Sequence, residues 1–560
     1  MDKRTIFAII LCLGVWIVWQ KFFIEPGKNV GKQNGKVASV TDNETGKKVN
    51  NQASSDSSMP AEVEEGSAEL PAEQLASLKT KMIEATFSSR GGNLKSLKIL
   101  KYKEKNYRKK ASDLGTAEIV TIEEEQHLPF AIRFNSEKTT FKNIPYTDWT
   151  IVEQSDTKIK FRYLNGSVED YPEITKTYTA LPDDYQIDLL VEIINNGQRS
   201  IKEQINLELF GKVEPETKTG CMGAQHIPRV ASCYANGELV SADPKAGTAK
   251  SAEPYVSWIG INEQYFLLAA VVIGTDKSFC KVETQKGGLL VSSLMYPEEG
   301  EIQPGKTISH RYRLFAGPKH ISILEKVKGG PNDGNGPSYL EKAVDFGWLA
   351  VLCLPLLWLL KALYSFVGNY GVAIILLTII LRVLLLPLTY NSMKSMQKMG
   401  KLKPLIDDIK KKYGDDKARM NQEVMNLYKT HKINPMGGCL PMILQMPIWF
   451  ALYRMIYSSV ELYQEPFIPG WINDLSYRDP TFVLPIILGG FMFLQQKMTP
   501  STMDNQQAKM MLYIMPVFFT FIMLYLPSGL VLYILFSTAL GIIQQLFYNR
   551  KQDEMAPQRQ

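Results

Sequence analysis

The sequence predicts a polytopic α-helical membrane protein with six spans and one large antiparallel β-sandwich domain outside the cytoplasm. Three observations predict it. Residues 347–547 are packed with Leu, Ile, Phe, Met and Pro in runs near 20 residues long, whereas most of 25–335 is polar and charged. A helix needs about 20 apolar residues to cross a hydrocarbon core ~30 Å thick at ~1.5 Å rise per residue. The basic residues fall unequally on the two sides of these runs, and the polar part alternates with a period of two.

The first run, 5–24, follows Met1-Asp2-Lys3-Arg4 and has the basic start of a signal peptide. Trp16, Trp19, Lys21, Phe22 and Phe23 stand where a cleavage site needs small residues, so 1–24 reads as an uncleaved anchor with its N-terminus in the cytoplasm. Residues 25–79, rich in Gly, Asn, Ser, Lys and Glu, read as a flexible linker. From about 80 to 335 the pattern is strand-like. Ile159, Phe161 and Tyr163 alternate with Lys158, Lys160 and Arg162, and the sets Ile187, Leu189, Val191, Ile193 and Ile205, Leu207, Leu209 repeat this. His127, His226, His310 and His320 lie in this domain, yet none sits in a motif for acid–base or nucleophilic chemistry, so it reads as a binding or scaffold domain.

The six cysteines show no CxxC pair and no histidine at ligand spacing, so neither metal nor cofactor is expected. Cys221 and Cys233 are open to two readings, a disulfide in an oxidising compartment or two unpaired thiols. The net charge of +6 over 560 residues does not point to nucleic acid as a bulk electrostatic partner.

Five more runs are expected to cross the bilayer: 370–390, 439–458, 481–497, 510–526 and 530–547. Residues 391–438 hold eleven Lys and Arg, against Arg478 alone in 460–480, which places the first loop inside and the second outside. If 348–367 also crossed, the basic loop would end outside. That stretch, interrupted by Pro355 and Lys361, therefore reads as an amphipathic helix along the outer interface, within a region 336–368. The expected order is then a core 369–547 containing a cytoplasmic helical hairpin 391–438, and a basic cytoplasmic tail 548–560. Leu402, Leu405, Ile406, Ile409 and Tyr413, then Met420, Val424, Leu427 and His431, have helical spacing either side of a Tyr413-Gly414-Asp415-Asp416 turn.

Arg382 interrupts a run of Ile and Leu, and an arginine inside a span costs ~2.5–3.5 kcal/mol on insertion scales. Its guanidinium cannot deprotonate, so it needs water, an anion or a polar partner. The expected spans contain no Asp, Glu or His, which leaves Arg382 without a counter-ion and gives a proton relay or intramembrane protease no chemistry. Gln445, Thr378, Ser537 and Thr538 are candidate linings of one hydrated cavity, although Ser and Thr also bond to their own helix. Seventeen of the 22 Met fall at or after 391, which suits a surface accepting many apolar partners.

The segments 434–449 (NPMGGCLPMILQMPIW) and 526–533 (LPSGLVLY), with Arg382 in the first core span and a charged hairpin after it, resemble the YidC family of membrane protein insertases. The resemblance covers essentially the whole chain. It implies a five-helix insertase core around a groove open to cytoplasm and lipid, and a periplasmic β-supersandwich without sugar chemistry. Arg382 would be the positive centre of the groove, Gln445 a lining residue, and Tyr533, Ser537 and Thr538 contributions of the last helix. Gly541 stands where the family carries a polar residue. The apolar faces of 439–458 and 510–526, with Met442, Met446, Met511 and Met515, would form a slide into lipid.

The implied function is inserting and helping to fold nascent membrane proteins, alone or with the Sec translocon, from translating ribosomes. It implies a monomer in the bilayer of a bacterial inner membrane, both termini cytoplasmic and 25–368 periplasmic. No GxxxxGK[ST] appears, so neither nucleotide coupling nor enzymatic activity is expected. The rival classes are a transporter for an anionic solute, which would usually show internal repeats, and a membrane-tethered carbohydrate enzyme.

Overall fold

The computed structural model describes residues 72–103, 115–120, 122, 124–134, 139, 149–163, 172–213, 228–245, 247–274, 276–296, 300–330, 334–414, 416–431, 440–499 and 505–555. The expected anchor 1–24 and most of the linker lie outside them, as do Cys12, Cys221, His226 and Cys439.

Alternation builds the outer domain. A nine-stranded antiparallel sheet runs in the order Glu238–Ser241, Val230–Ala235, Val256–Asn262, Phe266–Ile273, Thr307–Pro318, Gln186–Ile194, Glu173–Ala180, Lys158–Tyr163 and Trp149–Gln154. A five-stranded sheet has the order Thr248–Ala252, Phe279–Thr284, Leu289–Met295, Ile205–Lys212 and Ala131–Phe134. A four-stranded sheet of Leu75–Lys79, Ile83–Ser88, Asn93–Lys103 and Thr116–Glu118 follows, with two short ribbons, Ile201–Glu203 paired with Gly300–Ile302 and Lys328–Gly329 with Gly336–Pro337. Strand pairing thus begins at Leu75, ahead of the start expected near 80, because the short alternation of Ala76 and Leu78 already buries one face. Ile159, Phe161 and Tyr163 point inward, fully buried, and Ile187, Leu189, Val191 and Ile193 do so on a neighbouring strand.

Lys176 lies on the inward face too. Its Nζ donates to the Gly91 carbonyl (2.8 Å), Asn93 Oδ1 (2.7 Å) and the Phe130 carbonyl (3.0 Å), over the Trp149 ring. Burial drives this amine well below the usual lysine range. Cys233 of the nine-stranded sheet is joined to Cys280 of the five-stranded one by a disulfide. This corrects the choice left open for Cys221 and Cys233: the partner of Cys233 is 47 residues away, across the sandwich, a distance that sequence proximity hides.

The rest is helical: α1 (Ala350–Val367), α2 (Tyr370–Leu384), α3 (Leu386–Lys401), α4 (Lys403–Lys412), α5 (Lys417–Thr430), α6 (Leu440–Ser458), α7 (Val483–Met498), α8 (Asn505–Met523) and α9 (Ser528–Met555). Among the described residues, two helices are long and apolar enough to cross a membrane, Gly347–Val367 and Ser528–Arg550; Tyr370–Leu384, Val483–Met498 and Lys509–Met523 are shorter apolar helices. The expected runs are cut back at identifiable places. The run 370–390 divides at Leu385, with Pro387 in the first turn of α3. The run 510–526 ends helically at Met523, before Pro527.

α4 and α5 form the hairpin, closed on Leu402, Ile406 and Tyr428, with Val424 and Leu427 packed against them. Asp416 caps α5 by accepting from the Arg419 amide. Leu405, one of the helically spaced residues, is exposed.

The outer domain seats on the core through loop 459–482. Val460 and Tyr463 are part of the sandwich's own apolar core. Gln464 exchanges hydrogen bonds with the Lys103 backbone in both directions (3.0 and 2.8 Å), and Gln264 donates to the Tyr457 carbonyl (2.9 Å). Buried Glu461 faces His320 Nδ1 at 3.5 Å and Lys361 Nζ of α1 at 3.6 Å. The lysine that interrupts the apolar α1 is therefore matched by a carboxylate.

Candidate functional site

The site is built where α2 ends. Arg382 lies in the last turn of that helix, so its cation complements the carbonyl end of the helix dipole. Its side chain crosses to α9, where Nε donates to Ser537 Oγ (3.0 Å) and Nη2 to the Ser537 carbonyl (2.5 Å). From α6, Gln445 Nε2 reaches the same Ser537 hydroxyl at 3.2 Å. Tyr533, one turn before Ser537 on α9, is buried. Three helices thus converge on one hydroxyl.

Every hydrogen-bond partner of Arg382 among the described residues is neutral. Among the described residues no carboxylate forms an ion pair with it. Hydrogen bonds to neutral oxygens offset part of the cost of burying the guanidinium and leave its charge uncompensated. The half-buried Arg382 is chemically a receptor for an anion or for carbonyl oxygens.

Of the other expected lining residues, Thr378 and Thr538 do not join the cluster. Thr378 Oγ1 donates to the Ile374 carbonyl (2.7 Å) and Thr538 Oγ1 to the Ile534 carbonyl (2.8 Å), each within its own helix. Met446 is exposed on α6, and Met511 and Met515 are half-buried on α8. The side chain of Met442 lies outside the described residues.

Two residues were not anticipated as site residues. Gln495 of α7 brings its amide nitrogen to the position where a Gly541 side chain would begin. The sequence signal for it is a carboxamide near the end of an apolar run, beside Gln496 and Lys497. Arg454, a second cation in 439–458, donates to the Asp345 carbonyl (3.0 Å) at the outer end of α6. Beyond Ser537, α9 makes further polar contacts toward its C-terminal end, with α3. Gln544 donates to Thr389 Oγ1 (2.7 Å), and Asn549 Oδ1 accepts from Gln397 (2.8 Å).

Residues 362–555 match the family described as 60Kd inner membrane protein, and residues 75–359 match the YidC periplasmic domain. The chain is 37% identical over 570 residues to the membrane protein insertase YidC of Syntrophus aciditrophicus (strain SB), covering 98% of this chain and 100% of the relative. Against the membrane protein insertase YidC of Geotalea daltonii the identity is also 37%, over 98% and 99% of the two chains. Among solved structures, a crystal structure of an active YidC insertase with its first transmembrane domain resolved aligns with 20% identity. It covers 85% of this chain and 94% of that one at a TM-score of 0.37.

Proposed function

Since the chain belongs to the YidC family of membrane protein insertases, we propose that it inserts membrane proteins through a polar groove centred on Arg382. Insertion into the membrane is its function, and membrane proteins in the making are its substrates. It is an inner membrane protein with a β-rich periplasmic domain.

Six spans carry this function: an anchor near the N-terminus and the runs that α2, α6, α7, α8 and α9 represent. Both termini are cytoplasmic, and residues 25–368 are outside. α1 lies along the outer interface: the Lys361–Glu461 pairing holds it to the outer loop, and Trp348, Trp358 and Phe366 remain exposed for lipid.

In this reading the leading segment of a nascent chain, often acidic, enters from the cytoplasm and is drawn to Arg382. Gln445, Tyr533 and Ser537 hold the guanidinium toward it. The groove shortens the path over which backbone amides meet hydrocarbon, a path otherwise prohibitive. The apolar segment then slides into lipid along α6 and α8, past Met442, Met446, Met511 and Met515. Burial of ~20 apolar residues drives that step. A membrane potential negative inside adds ~2.3 kcal/mol per 100 mV for each acidic residue moved outward. The Sec translocon and the translating ribosome are proposed partners; the basic hairpin of α4 and α5 suits the second.

One observation carries this reading: a half-buried guanidinium whose hydrogen-bond partners, among the described residues, are all neutral. Its test compares Arg382→Lys with Arg382→Ala for insertion of a small protein with an acidic translocated tail. Lysine is expected to retain part of the activity, and alanine to lose about tenfold or more, the order expected for one charge-assisted contact. Wild-type insertion by the alanine variant would remove Arg382 from the mechanism.

A further inference from the structure

A second groove, of about 630 Å³, opens on the side of the core between α7 and α8. On α7 it is lined by Phe482, Ile486, Gly489 and Phe493, which recur on one helical face, and α8 faces it from Tyr513 to Leu524. Gln495, two positions beyond Phe493, turns instead to Gly541 of α9, so this groove and the Arg382 site lie on different faces of α7. No charged side chain lines it. Gly489 forms its floor, where a Cβ would run into Thr520 Oγ1. That hydroxyl donates to the Pro516 carbonyl of its own helix (2.7 Å) and leaves the groove apolar. Ile486 and Val517 are exposed, so the groove is open sideways, toward lipid in the six-span reading above.

Its length is informative. Phe482 to Phe493 is eleven positions, and Leu524 back to Tyr513 is eleven on the antiparallel helix. Each spans roughly 16 Å at ~1.5 Å rise per residue. Half of a ~30 Å hydrocarbon core is about 15 Å, so the groove is as long as one leaflet is deep. The rings of Phe493 and Tyr513, with centroids 5.8 Å apart, mark its inner end.

The outer end carries a cation. Phe482 sits just before α7 at φ +58°, a left-handed conformation costly for an aromatic residue. Asp479 holds this turn: Oδ1 accepts from the Thr481 amide (2.9 Å) and the Trp471 indole (3.1 Å), and Oδ2 from the Leu484 amide (2.8 Å). With that carboxylate engaged, the exposed Arg478 guanidinium lies 5.8 Å from the centroid of the Phe482 ring and 5.6 Å from that of Tyr477. Arg478 is the one basic residue of 460–480, and among the described residues it forms no ion pair.

We propose that this groove binds a phospholipid of the outer leaflet, with one acyl chain lying between α7 and α8 and the phosphate resting on Arg478. An apolar slot one leaflet deep with a cation at its outer mouth matches a phospholipid at both ends. A client helix, ~10–12 Å across, would fill about twice the volume of this groove over the same length, whereas a single chain of methylenes enters it. The site takes its orientation from the six-span reading and is otherwise independent of the groove at Arg382.

The test uses the full chain in vesicles of phosphatidylethanolamine and phosphatidylglycerol, with a little phosphatidylglycerol carrying a photoactivatable diazirine midway along one acyl chain. Label is expected on the peptides holding 482–493 and 513–524. Val517→Trp, at an exposed position, fills the groove and is expected to lower that labelling about threefold or more. Arg478→Gln, also exposed, is expected to lower it about fivefold, the order for one interfacial cation, and to leave labelling by a diazirine-bearing diacylglycerol, which has no phosphate, unchanged. Wild-type labelling in either variant overturns the proposal, and should one variant fail to accumulate the other decides.

A photo-crosslinking amino acid at position 521 separates the occupants: lipid adducts are expected, and adducts to a stalled client or to a second copy in their place overturn the proposal. Arg382→Ala is expected to label as wild type. Loss of label there would assign the signal to the insertion groove and overturn the lipid site, while insertion of an acidic-tailed client by Arg382→Ala tests the groove reading separately.

Discussion

Arg382 and Gln495 show why a charge is easier to read in a sequence than an amide. A guanidinium inside an apolar run has few innocent explanations, so Arg382 declares itself from composition alone. Gln495 stands beside Gln496 and Lys497, where a carboxamide is unremarkable, and its meaning arises from a glycine 46 positions later on another helix. Thr378 and Thr538 err the other way, since their hydroxyls look like cavity linings and instead bond to their own helices.

The residue scale also sets a pH dependence. Lys319 is buried, its Nζ donating to Asn262 Oδ1 at 2.9 Å. Burial pulls its amine down to about 7, against the opposing pull of Glu263 and with Arg454 adding to the fall. An unfolded lysine titrates near about 10.4. Between those two values the unfolded chain holds a proton that the fold does not, so stability rises with pH across that window; below it both states are charged and the cost is felt in full. Thermal unfolding of the detergent-solubilised chain should shift upward as pH rises above neutrality, and Lys319→Met should flatten that slope. Equal slopes in the two proteins would remove Lys319 as the cause.

Among the elements, strands were legible in their faces and not in their partners. Alternation tells which side of Gln186–Ile194 is buried, but its neighbour Thr307–Pro318 lies more than a hundred residues on, and period-2 patterning says nothing about that pairing. Helices were legible in their existence more than in their ends: the division between α2 and α3 at Leu385 falls inside what reads as one continuous run.

α1 offers a direct measurement. Trp358 lies midway along Ala350–Val367 and is 71% exposed. If α1 lies along the interface, bromine atoms placed high on lipid chains should quench a variant that keeps Trp358 as its only tryptophan more strongly than bromines near the chain ends. Were α1 to cross the bilayer, its midpoint would sit at the centre and the order would reverse.

At the scale of the whole molecule, sandwich and core are joined by contacts that no local pattern predicts, such as Gln464 with Lys103, 361 positions apart. Val460 and Tyr463 belong to the sandwich's apolar core although they come from the loop between α6 and α7, so removing the sandwich would uncover them.

The bond between Cys233 and Cys280 reaches across the same sandwich, and it makes each molecule a record of its own delivery. Thiols oxidise outside the reducing cytosol, so the pair closes after the domain has been exported. In a chain retaining these two cysteines alone, alkylation of denatured protein should find both protected in mature molecules. Both should be reactive in molecules trapped on the near side, giving a count of successful crossings without a fused reporter. Two free thiols in mature protein would show that the record is never written.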